Sequence, residues 1–394
     1  MKFITAERIY TGNTSYLQDK ALVLDNGAIH DIVDLDTLDQ SIVQRIDGII
    51  VPGFINAHCH LELSHMLGKL ETGTGLLSFI GNVVKQRGAT EEEIQDAIYN
   101  ADKEMYENGI DAVGDISNVA DTAKYKSESP IRYYTFVEIF DFMQAHMTQA
   151  SIEQYGAPIK QFSLSNKNKS NFVPHAPYSV SQELLDYIAK NTDQNDTISI
   201  HNQETPPENE LFLSGTGPFH DFYKSFDLSL DHFEAPHKSA IHYILDNFAA
   251  GRKMLFVHNT LSTKEDILDA INITKECYWA SCPNANLYIE NRLPDYRSFM
   301  ETNAKVCIGT DSLTSNWQLD ILEEMKTIQK YNSYVSFETL ITWACKNGAE
   351  ALGFEDLGKI KPGSKAGLVK ISDYKIKSDG DVDIQSSSST RINI

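Results

Sequence analysis

Two histidines one residue apart close a short apolar run, Ile49-Ile50-Val51-Pro52-Gly53-Phe54-Ile55-Asn56-Ala57-His58-Cys59-His60. Side chains alternate between faces along a strand, so His58 and His60 are expected on one face, with Cys59 turned away from any ligand role. Neutral imidazole is a common ligand for a divalent ion, and a strand end holds two such rings with little freedom. The pair alone is weak evidence. The rest of the chain, however, supplies ligand types in the same setting. Thr197-Ile198-Ser199-Ile200 leads to His201, with Glu204 three residues on, and Lys253-Met254-Leu255-Phe256-Val257 leads to His258. Asn171-Phe172-Val173-Pro174 leads to His175, and Val306-Cys307-Ile308-Gly309-Thr310 to Asp311. A solitary strand histidine is more often a packed or solvated residue than a ligand. Several ligand-type residues, an acid and a further histidine at successive strand ends weigh against that reading.

The elements that must position these groups alternate along the chain. Strand-like runs end at His58, His175, His201, His258 and Asp311, and three more lie at 109–116, 132–139 and 278–283. Helical periodicity occupies 91–108, 182–190 and 319–331 between them. Strands alternating with helices in this way indicate an α/β chain with a parallel sheet. In a (β/α)8 TIM barrel all strand ends with polar groups share one face, where such enzymes build their sites. The barrel is expected over 53–352. The segments 1–52 and 353–394 are β-rich, with short strands at 3–6, 21–24, 28–33 and 367–372, and Asn26-Gly27 is a hairpin turn signal. The polar tail 378–394 is expected to be poorly ordered. No G-x-G-x-x-G or Walker pattern follows a strand.

At these residues the chain resembles the amidohydrolase superfamily, over most of the span from His58 to Asn316. The order HxH, His with Glu three later, His, then Asp is similar to the mononuclear aminohydrolase branch, which deaminates nucleobases and nucleosides. Within that branch, His58-Cys59-His60-Leu61-Glu62-Leu63-Ser64 is most similar to the aminodeoxyfutalosine deaminases and related nucleoside deaminases. The resemblance implies that the two chain ends join in a small β-sandwich beside the barrel. It implies one divalent ion held by His58, His60, His201 and Asp311, with an open position for water. Such coordination lowers the water pKa from about 15.7 towards ~7. Zinc is the expected ion, and iron(II) suits the same ligands. His258 and Asp311 would orient and deprotonate the water. Glu204 would protonate the ring nitrogen as attack occurs, which a C=N carbon needs. Strict alternation favours Gln203 for inward placement, so the chain must already be turning at Glu204, where Thr205-Pro206-Pro207 ends the strand.

His175 is expected on the substrate, in place of the bridging ligand that dinuclear relatives carry, with Glu138 the residue that would confuse this if the strand count slipped. Glu62 and Arg87 are further substrate candidates, weighed evenly against a loop cap and a solvated helix face. Phe140 and Phe142 are expected in the core or pocket wall, and Glu208 and Glu210 on a solvent-facing loop. A chlorohydrolase or cyclic-amide hydrolase with the same metal site, or a catalytically silent scaffold, are the alternative functions.

Composition narrows the partners. The 394 residues carry 34 basic and 55 acidic side chains, a net charge of −21, and a field of that sign repels nucleic acid polymers. No run approaches the roughly 20 apolar residues that span a bilayer. The first residues lack a signal-peptide core, so a cytoplasmic enzyme with a small-molecule substrate and no membrane partner is expected. Self-association is left open. Five scattered cysteines, Cys59, Cys277, Cys282, Cys307 and Cys345, point to reduced thiols.

Overall fold

The computed structural model describes residues 1–394 apart from 14, 163–166, 366, 393 and 394. Eight apolar runs form parallel strands: β1 Phe54–Cys59, β2 Ile110–Ser117, β3 Arg132–Ile139, β4 Lys169–Pro174, β5 Thr197–Asn202, β6 Lys253–His258, β7 Glu276–Ser281 and β8 Lys305–Ile308. They are almost wholly buried, as strands covered on both faces must be, and so they read in sequence as continuous apolar stretches. β1 to β4 make one four-stranded sheet and β5 to β8 another, each in chain order. The sheets meet at both edges. His201 N at the end of β5 donates to His175 O after β4 at 3.0 Å, and beyond β8 both Thr310 N and Asp311 N donate to His58 O at 3.0 Å.

Helices follow the strands. The helix Glu91–Glu107 starts in a capping box between Thr90 and Glu93 and buries Ile98, Ala101 and Met105 against the sheet. The expected helices at 182–190 and 319–331 are present as Gln182–Lys190 and Ile321–Tyr331. Among the described residues no helix is long and apolar enough to cross a membrane.

The chain ends lie together. Arg8–Tyr10, Tyr16–Leu17 and Ile49–Pro52 share a five-stranded sheet with Leu368–Ser372 and Ser388–Ile392, while Lys2–Thr5, Lys20–Asp25, Ala28–Asp34 and Val43–Arg45 form a second sheet. Ile4, Leu22, Leu24 and Ile29 of one meet Ile9, Ile50 and Leu368 of the other in a separate small core. Asn26 and Gly27 both take positive φ, 47° and 73°, as the tight hairpin there requires.

The tail is a correction to the sequence reading. Val382 and Ile384 are buried, and Ser388–Ile392 pairs antiparallel with Leu368–Ser372. Arg391 Nη1 bonds Asp111 Oδ1 at 2.7 Å while its Nη2 donates to Ile110 O at 2.8 Å. A polar composition suggested disorder because the partners that order this segment stand far back in the sequence. Residues 393 and 394 lie outside the described residues.

Candidate active site

The first candidate ligand pair is positioned by a departure from regular strand geometry. Asn56 stands opposite Val113 and Cys59 opposite Asp115, so three steps along β1 match two along β2. This is a β-bulge at residues 57–59, and bulges re-aim side chains beside functional sites. Gly114 permits it, because a Cβ there would lie 2.5 Å from Ala57 O. On the other side a Cβ at Gly309 would fall 2.9 Å from the His58 backbone, so glycine lets the β8 extension close on β1. Asn56 clamps that extension, donating to Thr310 Oγ1 at 2.8 Å and accepting from Thr310 N at 3.1 Å. His58 and Asp311 are thus presented together. Asp311 lies three residues beyond β8 with φ 58°, and Ser315 Oγ donates to its Oδ2, leaving Oδ1 toward the histidines.

The turn demanded at Glu204 is made one residue earlier. Gln203 has φ 46°, which swings its own side chain to Ser262 and Asp266 and brings Glu204 round to the cavity. Glu208 fixes this turn. Its carboxylate accepts from Gln203 N at 3.1 Å and from Glu204 N at 2.9 Å, and the residue is fully buried. The expectation of a solvent-facing loop is therefore wrong for Glu208, and Glu210 is exposed as expected but stands on the helix Pro206–Ser214 and not on a loop. The signal was present: Thr205-Pro206-Pro207-Glu208 places proline in the first helical turn and glutamate at the third helical position, where its carboxylate reaches back to free N–H groups.

The candidate ligand atoms converge. His58 Nε2 and His60 Nε2 are 3.2 Å apart, His60 Nε2 and His201 Nε2 3.4 Å. Asp311 Oδ1 lies 3.6 Å from His58 Nε2 and 3.3 Å from His60 Nε2. Ligands at about 2.0–2.1 Å from a tetrahedral zinc are separated by about 3.3 Å, which these four spacings match, and His58 is common to two groups close enough to hold an ion, one with His60 and His201 and one with His258 and Asp311. Ring orientation is fixed from behind. His201 Nδ1 donates to His175 O at 2.9 Å, which leaves Nε2 its lone pair. His258 Nδ1 donates to Asn286 Oδ1 at 2.8 Å, and its Nε2 faces Glu204 Oε2 at 3.6 Å. Cys59 is buried, and burial pushes its thiol well up, so it offers no thiolate.

Burial keeps the imidazoles neutral, as ligation requires. It lowers His58, His201 and His258, and takes His60 down to about 3 and His175 to about 4. Burial would raise the Asp311 carboxyl, but His58, His60 and His258 outweigh it and hold it below the usual carboxylate range. Glu204 goes the other way: burial first, then the charge of Asp311, pushes it well up, which favours the protonated form.

His60, His175, His201, Glu204, His258 and Asp311 line a cavity of about 420 Å³, with His58 fully buried behind them. Its outer wall is apolar, with Leu76, Phe79, Phe140, Phe142, Tyr178 and Phe226 among its members. All three expected substrate candidates line it: His175, whose Nδ1 bonds Ser179 Oγ at 2.8 Å; Glu62; and Arg87 at the exposed end of the helix Leu76–Gln86. Glu62 also caps a loop, accepting from Asn118 N at 2.9 Å and Val119 N at 3.2 Å, and burial raises it to about 7. Glu138 lines the cavity too, with its Oε1 3.4 Å from His201 Nδ1 and its carboxyl raised to about 8 by burial. Sequence reasoning missed Asn118, Asn286 and Ser315, for which no motif gave a signal, and it missed the part of the wall after β5, where Phe222 and Phe226 stand.

The sequence profile of the amidohydrolase family matches residues 49–389. An adenosine deaminase of Helicobacter pylori is 29% identical over 328 residues, covering 82% of this chain and 78% of that one. The crystal structure of Helicobacter pylori aminofutalosine deaminase in complex with methylthio-coformycin superposes with a TM-score of 0.80 at 24% identity, covering 100% of both chains. That of an adenosine deaminase from Xanthomonas campestris with bound zinc gives 0.72 at 21% identity, covering 94% of this chain and 84% of that one. At these identities the two structures speak to the fold alone.

Proposed function

The chain belongs to the amidohydrolase family, and from that premise we propose that it is a metal-dependent hydrolytic deaminase releasing ammonia from an aminopurine-type nucleoside. One observation carries the reading: Glu204, buried and raised above the usual carboxylate range, stands 3.6 Å from His258 in the cavity that His60, His201 and Asp311 also line. A divalent ion held by His58, His60, His201 and Asp311 would supply a nucleophilic water at neutral pH. Glu204 gives its proton to the ring nitrogen beside the attacked carbon, so that negative charge does not build on the ring. His258, its Nδ1 proton committed to Asn286, keeps Nε2 free to accept and, with Asp311, takes the proton that the attacking water loses. That proton leaves with the amine as ammonia when the C–N bond breaks, and the second proton of the water, released as the new C=O forms, restores the Glu204 carboxyl. One ion per chain is the proposed complement, zinc first, with iron(II) accepted by the same donors.

The reading extends to architecture and substrate. The two parallel sheets form a (β/α)8 barrel over 53–352, and 1–52 with 353–394 form the β-sandwich beside it. His175, Glu62 and Arg87 contact substrate. An apolar wall with one arginine at its rim suits a nucleoside carrying an apolar substituent that ends in a carboxylate, such as 6-amino-6-deoxyfutalosine. The test is a screen of adenine, guanine and cytosine derivatives for ammonia release, with the metal content of the protein measured alongside. Turnover of chlorinated or cyclic-amide substrates without any ammonia from aminopurines would overturn the deaminase reading.

A further inference from the structure

A buried ion pair lies directly behind the HxH segment and takes no part in the chemistry above. Lys126 Nζ meets Asp115 Oδ2 at 2.5 Å, and both side chains are at most 2% exposed. The pair is closed by Ser117 and Thr135, whose hydroxyls accept from Lys126 Nζ at 3.0 and 3.1 Å, and Ser117 Oγ lies 3.2 Å from Asp115 Oδ2. The ring of Phe162 packs against the ammonium at 4.6 Å. Buried pairs of this kind are weak sources of stability, since an apolar pair of equal volume often does as well. This one has a directional product. Asp115 Oδ1 accepts the backbone N–H of Leu61 at 2.8 Å, the first residue after His60.

The position of that bond matters because β1 is bulged. One residue in 57–59 has no partner on β2, and a one-residue shift of the pairing there would send the side chains beyond it to the other face. Asp115 stands opposite Cys59 itself, and on the other flank Cys59 bridges to Asp311. A one-step slip would turn Cys59 inward and one histidine away. We infer that Asp115, held by Lys126, is a positioning residue: it pins Leu61 N and thereby fixes the bulged register that aims His58 and His60 at the same ion. The inference rests on the metal-binding reading of those histidines.

The test uses charge-balanced variants of the full chain, followed by Zn2+ affinity in chelator competition and by the absorption spectrum of the Co2+-loaded protein. D115N/K126M keeps an acceptor for Leu61 N, and its Kd for Zn2+ and Co2+ spectrum should stay close to wild type. D115L/K126M removes the acceptor, and its affinity should fall 10- to 100-fold, the range for lost outer partners of ligands. Its Co2+ bands should shift. If D115L/K126M does not fold, D115S/K126M, too short to reach Leu61 N, carries the same expectation. Wild-type affinity and spectrum in the acceptor-less variants, or equal loss in D115N/K126M, would overturn the pin. Failure of the wild-type chain to bind Zn2+ at all would instead overturn the metal reading.

Discussion

Glu204→Gln separates the acid from everything else Glu204 does. The main chain at this position is held independently of the carboxyl, by Glu208 on Glu204 N at 2.9 Å and by Thr260 Oγ1 on Glu204 O at 2.8 Å. His258 Nε2 stands 3.6 Å from Glu204 Oε2, beyond hydrogen-bond range. Glutamine therefore fits the same space, and the variant loses a transferable proton and little more. Positioned acids contribute about 10²–10⁴ in rate, or about 2.7–5.4 kcal/mol at about 1.36 kcal/mol per decade. The other carboxyls of the cavity that burial raises, Glu62 and Glu138, are both bonded to Asn118 and so are committed elsewhere. The expected loss in kcat is about 10³, with metal content unchanged. A pH profile adds a sign. Burial raises the Glu204 carboxyl, so wild-type activity is present below its folded pKa and falls as pH rises through it; the variant should lose that limb. Ammonia release, metal analysis and a melting curve suffice. Turnover within tenfold of wild type refutes the acid role, and loss of metal would make Glu204 a ligand.

Purified protein should hold about one divalent ion per chain, and His201→Asn should abolish both metal and turnover; two tightly held ions would refute the mononuclear assignment. Arg87→Met should raise KM for carboxylated nucleosides and spare adenosine, since only the former lose an ion pair; equal effects on both return Arg87 to the surface. Gly114→Ala sets a methyl 2.5 Å from Ala57 O and 2.8 Å from Leu352 Cδ2, so it should lower both Tm and zinc affinity, and unchanged affinity would show that the bulge does not set the ligands. Burial raises Glu62 to about 7 and Glu138, Glu208 and Glu324 to about 8, above the 4.5 of the unfolded chain. The folded state then keeps protons that the unfolded state releases, and stability falls as pH rises from about 4.5 through 8. Compared above the ordinary histidine range, where the lowered imidazoles no longer contribute, the metal-free protein should melt lower at pH 9 than at pH 7.5, and the reverse order would refute this.

What was legible in the sequence follows from burial. Strands covered on both faces are apolar runs, so eight of them stood out, and a histidine or aspartate closing such a run was conspicuous because water-facing loops begin there. The same logic found the helices at 91–107 and 182–190 nearly to the residue. Partners distant in sequence were invisible. Nothing near His258 announces Asn286, nothing near Asp111 announces Arg391, and Glu208 was misplaced because charge alone was weighed against its position in a capping sequence.

The deeper failure was of periodicity at the site itself. Alternation assigned His58 and His60 to one face, and they do share one, but through a bulge that alternation does not contain. Alternation argued against Glu204, and a left-handed Gln203 overrules it. His258, Asn259 and Asp311 are left-handed as well, each without glycine's freedom. A regular strand end can present one side chain to a common point, whereas a metal cluster with an acid facing it needs five or more groups from several strands within a few ångströms. The backbone meets that demand by leaving its regular path at the ends where ligands sit, and the cost is borne by neighbours that hold the irregular turns: Asn56 and Ser315 around Asp311, Glu208 beneath Glu204, Asn202 bonded to Asn259 at 3.0 Å. Substitutions at these supports should therefore disturb metal affinity and kcat before they disturb the fold.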